Sequence, residues 1–360
     1  MAEAITPTRV RRARRISGVD LFLWAVRIIA IVLIVWGSFV SLTSGRLTAQ
    51  QWRDLVVFGV AQGSVYALIA LGYTMVYGVL KFINFAHGEV FMGATMIGFF
   101  AANALDQAGL WNGQPLLSML IVLLVCMATS TLIAVALERV AYRPLRGAPR
   151  LIPLITSIGA SFFLQYTFAA LFGVGTKSWP RLDILEGSVE FLGLRMSKTQ
   201  AVVILAALVM MIGLYVFVER TKTGRAMRAV AEDQETAALM GIDVTRTIVI
   251  VFAVGGAMAG VAGFLWGLAF RTVFFLTGFL PGIKAFTSAV LGGIGNIVGA
   301  MVGGISLGIF EQVGPSLVLA GLGVVGFNQL KDVVAFLALV LVLIFRPTGI
   351  LGERISEERA

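Results

Sequence analysis

Long apolar runs alternate along this chain with short segments rich in arginine and lysine. The runs fall at approximately 21–42, 55–77, 90–104, 116–137, 151–172, 200–218, 247–270 and 332–345. Most approach the roughly 20 residues that carry a helix across a bilayer's hydrocarbon core. None shows the two-residue alternation over about ten residues that marks a strand of a transmembrane barrel. The pattern predicts an all-α polytopic membrane protein of about 8–9 transmembrane helices. A Gly-rich apolar stretch between 271 and 331 adds a broken or re-entrant helical pair.

Composition agrees. Of 360 residues 58% are hydrophobic and 13% charged, too little charge for a soluble surface of this size. The formal net charge of +9 sits mainly between the apolar runs, where it orients helices against the translocon and anionic lipid rather than pointing to nucleic acid. The basic stretch at 9–15 precedes the first run. It reads as the cytoplasmic flank of an uncleaved helix, because the run is long for a signal peptide and lacks a clean small-x-small cleavage site. Arg27 lies near enough to that end to snorkel.

Alternation from an inside start puts 138–150 and 219–246 in the cytoplasm. Those loops carry Arg139, Arg143, Arg146 and Arg150, then Arg220, Lys222, Arg225, Arg228 and Arg246. The external segment 103–114 has no Lys or Arg, and the longer external loop 174–198 carries Lys177, Arg181, Arg195 and Lys198 together with acids. Charge bias and alternation thus agree. With Arg346, Arg354 and Arg359, the C-terminus also falls in the cytoplasm if both halves of the Gly-rich pair enter and leave on the outer side. Three segments follow: 1–50, a basic terminus with an extra first helix; 51–352, the transmembrane domain; and 353–360, a cytoplasmic tail.

Within the Gly-rich stretch a helix from about 284 is expected to break at Gly292, Gly293, Gly295 and Asn296, and a second to run to about Glu311. Irregular backbone at membrane depth lines a cavity or an interface. Gly299, Gly303 and Gly304 instead fit close helix packing through small residues.

The loop 219–246 has helical periodicity, with Met227, Val230, Ala231 and Ala238 on one face, and Gly241 placed to close the helix as a C′ residue. Such a helix either lies in the headgroup layer or docks into a groove on a soluble partner. From Glu235 the chain reads Glu-Thr-Ala-Ala-Leu-Met-Gly, which resembles the EAA-x-x-x-G coupling motif of bacterial ABC importer permeases, with Thr236 in place of the first alanine. The wider string from Ala231 to Ile242, the blocks Gly72-Tyr-Thr-Met-Val-Tyr-Gly and Ile83-Asn-Phe-Ala-His-Gly-Glu-Val-Phe-Met-Gly, and Phe286-Thr-Ser-Ala-Val-Leu-Gly-Gly-Ile-Gly-Asn with a later Phe345-Arg-Pro-Thr-Gly-Ile are similar to the branched-chain amino-acid permeases (LivH-type) and their urea-importing relatives. They occur in family order over about 52–352; the first 50 residues depart from the pattern.

The resemblance implies a permease subunit of an ATP-driven importer in the bacterial inner membrane. It implies a second related permease, two cytoplasmic ABC ATPase subunits, and an extracytoplasmic solute-binding protein. Glu232, Asp233, Glu235, Ala237 and Gly241 are the expected ATPase-coupling residues. Asn84, His87 and Glu89 either form a capped interfacial turn or line the translocation path with Gly292, Gly293, Gly295 and Asn296. No Gly-x-x-x-x-Gly-Lys-Ser/Thr occurs, so ATP is expected on the partner subunits and no cofactor on this chain. One cysteine (Cys126) and one histidine supply no metal-ligand or catalytic set, and no enzyme activity is expected. The scarcity of mid-helix carboxylates argues against an ion-coupled carrier.

Overall fold

The computed structural model describes residues 18–352 apart from 150, 192 and 347. The basic stretch 9–15, Arg150, Arg354, Arg359 and the tail 353–360 lie outside the described residues. The chain runs through α1 (Gly18–Thr43), α2 (Ala49–Leu80), α3 (His87–Gln107), the single turn α4 (Leu110–Gly113), α5 (Pro115–Leu137) and α6 (Leu151–Phe172). It continues with α7 (Lys198–Arg220), the short α8 (Lys222–Glu232) and α9 (Gln234–Leu239), α10 (Val244–Phe270), α11 (Phe279–Gly292), α12 (Ile297–Gly314) and α13 (Lys331–Phe345). Strands β1 (Lys177–Ser178), β2 (Ser188–Phe191), β3 (Leu194–Ser197) and β4 (Thr272–Val273) make two small antiparallel ribbons, β1 with β4 and β2 with β3. Among the described residues nine helices are long and apolar enough to cross a membrane: α1, α2, α3, α5, α6, α7, α10, α12 and α13. Eight of them are the apolar runs of the sequence. The ninth, α12, continues through a π-helical turn at Pro315–Leu319, so it passes well beyond Glu311.

The centre of the bundle is α2 against α10, α2 buried through most of its length. In lipid there is no hydrophobic drive between helices, so close packing of small residues has to hold them. Gly59, Gly63 and Ala67 of α2 meet Gly304 and Gly308 of α12, and a Cβ built on Gly304 would stand 2.5 Å from Ala67 Cα. Gly256 and Gly260 of α10 lie likewise on Ser130 and its neighbours in α5.

These contacts repeat in pairs. α2 packs on α12 as α10 packs on α5; α11 lies on α2 as α3 lies on α10; α3 pairs with α5 as α11 pairs with α12. The end of α2 lies beside the helices that lead into α10, because the Gln234 side chain donates to the Val79 carbonyl (2.8 Å). The two central helices therefore run antiparallel, and α2–α3–α5 and α10–α11–α12 form an inverted repeat. Both long helices leave by the same device. Lys81 (φ 56°) and Arg271 (φ 58°) are the two non-glycine residues of positive φ among the described residues. Each donates its N–H back to the preceding turn, to the carbonyls of Tyr77 (2.8 Å) and Gly267 (3.1 Å). That conformation costs an L-residue roughly 1–2 kcal/mol, and it turns the chain sharply back towards the bundle.

The returns end in helices that start deep. The His87 ring, at the head of α3, lies against Gly72, about two turns or 12 Å before the end of α2. α11 starts opposite it: a Cβ on Gly88 would come within 2.6 Å of the Gly278 carbonyl, and one on Gly278 within 2.4 Å of the Gly88 carbonyl. α3 and α11 therefore meet head to head inside the bundle.

The course of the Gly-rich pair differs from the sequence expectation. α11 runs from this meeting point towards the side that carries α8 and α9. The break at 293–296 lies there, beside the chain that follows α13: Ile350 and Leu351 N–H donate to the Leu291 and Gly292 carbonyls (2.8 and 2.9 Å). Both halves therefore do not enter and leave on the opposite side; α12 crosses the full bundle instead. The end of α13 still comes out on the α8–α9 side. So does the start of α1, whose Arg27 guanidinium donates to the Ile344 carbonyl (2.7 Å) and stacks between Trp24 and Phe345.

Replacing Gly304 by leucine drives a side chain into the α2 backbone. Overpacking of this kind typically costs about 1–3 kcal/mol. A thermal-unfolding midpoint in detergent well below that of the unaltered chain is expected; an unchanged midpoint contradicts the α2–α12 contact.

Candidate functional site

Five residues in chain order, from Phe85 to Glu89, form the head of α3 and its approach. Ser157 of α6 fastens the approach, donating to the Ile83 carbonyl (3.2 Å) and accepting from the Phe85 N–H (3.3 Å). Asn84 is buried, and its Oδ1 accepts from the Tyr142 hydroxyl rather than from backbone N–H groups. The helix is capped instead by Ala86, with no side-chain bond. The Asn84 cap is therefore not what forms: the segment is buried, and its polar groups are tied to Tyr142, just beyond α5, and to α6. His87 stands edge-on to Tyr73 with ring centroids 5.1 Å apart, and its Nε2 has no protein partner.

Glu89 is only 1% exposed. Its Oε1 accepts from Gln165 Nε2 (2.7 Å) and Ser161 Oγ (3.4 Å), while Oε2 has no partner. Oε2 abuts Gly278, so the carboxylate lies in the first turn of α3 and beside the first turn of α11. Two helix N-termini thus favour negative charge at one point. A cavity of about 220 Å³ opens against it, walled by Tyr73, Phe85, Ile158, Phe162, Phe279 and Ile283.

Sequence reasoning found Glu89 but missed its holders. Ser157, Ser161 and Gln165 recur every four residues along an otherwise apolar α6, which is one face of a helix and was legible as such. It also missed Lys284. This buried ammonium pairs with Glu311 (2.9 Å) and Asp332 (2.6 Å). Gln62 donates to Glu311 (2.9 Å) and accepts from Gln312, whose Oε1 accepts from Lys331 (2.7 Å). Two cations balance two carboxylates, which pins α2, α11, α12 and α13 together. Glu138 is likewise fully buried and paired with Arg146. Three carboxylates lie buried, so the scarcity inferred from sequence understated them.

The glycine break is remote from the Glu89 cavity. Gly293 (φ 107°) has no room for a side chain, since a Cβ would stand 2.5 Å from Gly352 N. Asn296 caps α12 by accepting from Gly299 N–H (2.9 Å) and donates to the Leu351 carbonyl (3.0 Å). Gly295 borders a small cavity with Thr74, Met75, Met227 and Arg228. Gly292, close against Gly299, completes the turn. The structure thus groups Asn84, His87 and Glu89 together and sets Gly292, Gly293, Gly295 and Asn296 apart, next to α8.

The loop 219–246 is two helices, not one. Asp233 breaks the run and caps α9, accepting from Glu235 N–H (2.9 Å), Thr236 N–H (3.1 Å) and the Thr236 hydroxyl (2.8 Å). The break shifts the helical phase, so Ala237 is buried and Ala238 exposed, whereas Met227 and Val230 face inward as expected. Gly241 (φ 82°) closes α9 as the expected C′ residue, with Ile242 N–H bonded to the Ala237 carbonyl (3.1 Å). Glu232, Asp233 and Glu235 are exposed, and so are Leu239 (88%) and Met240 (78%).

A bundle of apolar helices in inverted repeat, with polar groups gathered inside it, is a membrane transport protein in class. The sequence model of the family described as the permease component of branched-chain amino acid transport systems matches residues 55–343, and the chain belongs to that family. It is 45% identical over 301 residues to the high-affinity branched-chain amino acid permease protein BraD of Pseudomonas aeruginosa, covering 83% of this chain and 95% of that one. It is 42% identical over 298 residues to LivH of Escherichia coli K12 (82% and 94% covered), and 28% identical over 298 residues to a probable LivH of Methanocaldococcus jannaschii (80% and 89% covered). No solved structure matches the chain.

Two outcomes follow from these groups. Lys284→Met leaves Glu311 and Asp332 without their shared cation, and stripping one partner from a buried pair costs roughly 3–5 kcal/mol. A large drop in unfolding midpoint is expected, partly recovered in Lys284→Met/Glu311→Leu; an unchanged midpoint in the single variant contradicts the ion cluster. The hydrogen bonds from Thr236 N–H, then from its hydroxyl, hold the Asp233 carboxyl below its usual pKa, with Glu235 N–H adding to them. The cap is therefore fully present above the ordinary carboxylate range of about 4 and is lost as pH falls through the lowered value. Protection of the α9 amides, taken relative to their intrinsic exchange rates, holds down to that range and falls below it, and Asp233→Ala shows the low protection at neutral pH. Equal protection in the two proteins at neutral pH contradicts the cap.

Proposed function

We propose that this chain is the membrane permease subunit of an ATP-driven importer that passes branched-chain amino acids delivered by an extracytoplasmic binding protein. The observation that carries it is identity of 42–45% over 94–95% of the length of relatives named for high-affinity branched-chain amino acid transport. A second related permease faces this one, and two ABC ATPases bind on the α8–α9 side, which is the cytoplasm of a bacterium with both termini towards it.

The geometry supports an engine outside the chain. α8 and α9 stand out on one side with an apolar pair, Leu239 and Met240, flanked by Glu232 and Glu235. That is the face of a helix seated in a partner's groove. Through Gln234 and Val79, α9 leans on the last turn of α2. Motion of the lever thus arrives two residues before Lys81, where the chain turns towards Asn84, His87 and Glu89.

Reconstitution with the partner permease, ATPases and binding protein tests this. Leucine-loaded binding protein stimulates ATP hydrolysis and leucine uptake. Glu235→Arg and Gly241→Pro lower uptake about tenfold, an ordinary coupling free energy; proline cannot take the positive φ at 241. Leucine movement by the isolated chain without nucleotide, or stimulation by urea-loaded binding protein alone, overturns the proposal.

A further inference from the structure

We propose that the cavity between α3, α6 and α11 is the subsite that takes the solute's ammonium group, with Glu89 as its counter-ion. The inference rests on the function proposed above and names the atoms that meet the cargo.

Charge singles out Glu89. Of the three buried carboxylates among the described residues, Glu138 is paired with Arg146 and Glu311 with Lys284; the described salt bridges give Glu89 no basic partner. A buried ionisable group at membrane depth that no fixed partner neutralises points to something it binds. Here one carboxylate oxygen is fixed by Gln165 and Ser161, and the other, buried against Gly278, has no partner, in a residue that lines the cavity. Gln165 donates and accepts but carries no charge, so it orients the carboxylate without neutralising it. The two helix N-termini beside it favour the negative form. What remains for Oε2 is a positively charged donor brought from outside.

Size and lining then specify the donor. The cavity's 220 Å³ is far more than the roughly 10–15 Å³ needed to hold one water. Its walls are Tyr73, Phe85, Ile158, Phe162, Phe279 and Ile283, with Ser161 beside Glu89 at the polar end. An apolar room with one anionic corner suits a small molecule with an ammonium at one end and a branched hydrocarbon body. A neutral amide such as urea makes no ion pair there and has no body for the aromatic walls. The cavity opens between α6 and the head of α11, where Phe162 and Phe279 are half-exposed on the bundle's outer face.

The assembled transporter, reconstituted with leucine-loaded binding protein, tests the assignment through Glu89→Gln, Glu89→Asp and Phe162→Trp. Assembly is followed by size-exclusion chromatography. An assembled Glu89→Gln complex is expected to lose leucine uptake about tenfold or more, because the cation's counter-charge is gone, while Glu89→Asp stays within about threefold of the parent. Phe162→Trp, which fills the cavity and keeps the carboxylate, is also expected to lose uptake. Parent-level uptake in assembled Glu89→Gln, or equal loss in the Gln and Asp variants, overturns the subsite. Where neither Glu89 variant assembles, Phe162→Trp decides: lost uptake supports the cavity and parent-level uptake overturns it. An assembled parent complex that moves no leucine overturns the proposed function, and the subsite falls with it.

Discussion

A helix that begins buried inside a membrane bundle leaves backbone N–H groups that little water can reach. This chain contains two such helices, α3 and α11, and the rest of the bundle is arranged around the consequence. Their heads abut through Gly88 and Gly278, residues that let the two backbones touch. The positive ends of both helices then converge on one buried carboxylate, Glu89. The central helices α2 and α10 supply the depth, each releasing the chain through a strained left-handed basic residue so that the return starts at once. Small residues between α2 and α12, and between α10 and α5, hold that frame without any hydrophobic drive.

The polar residues inside the frame divide by whether their charge is answered. Lys284, Glu311 and Asp332 answer one another, and Gln62 adds a hydrogen bond to the same Glu311 oxygen that Lys284 holds, so that cluster acts as a fastener. Glu89 has donors but no counter-charge. On the α8–α9 side, α9 is capped at both ends and bonded to the end of α2, which makes it a stiff lever rather than a loose loop. The glycine break packs on residues 349–352 next to α8 and so belongs with the lever, not with the cavity.

Eight crossing helices were legible from hydropathy because each crossing must be apolar for its whole length. The capping glycine at 241 and the close-packed Gly303 and Gly304 were legible for a similar reason: one local rule decides each. The head-to-head meeting was not. Its repeat preserves geometry and little sequence, with Lys81 matching Arg271 and Gly88 matching Gly278 in a sea of interchangeable apolar residues. Asn84 misled because a cap and a buried hydrogen bond to Tyr142 demand the same residue type. Lys284 escaped notice because its partners stand 27 and 48 positions away. The single amphipathic helix over 219–246 failed at Asp233, where a side-chain cap was stronger than periodicity.

The depth of the α11 head is the quantity on which all of this turns, and spin-label depth measurement in reconstituted bilayers reads it directly. With Cys126 replaced by serine, a nitroxide at position 279 is compared with labels at 163 and 171 of α6, all at exposed residues. Collision with dissolved oxygen and with a water-soluble nickel chelate should place position 279 with 163, near the middle of the membrane. If it groups with 171 at the bilayer edge, α11 begins at the surface, the two helices do not meet inside, and Glu89 loses the setting that gives it a function.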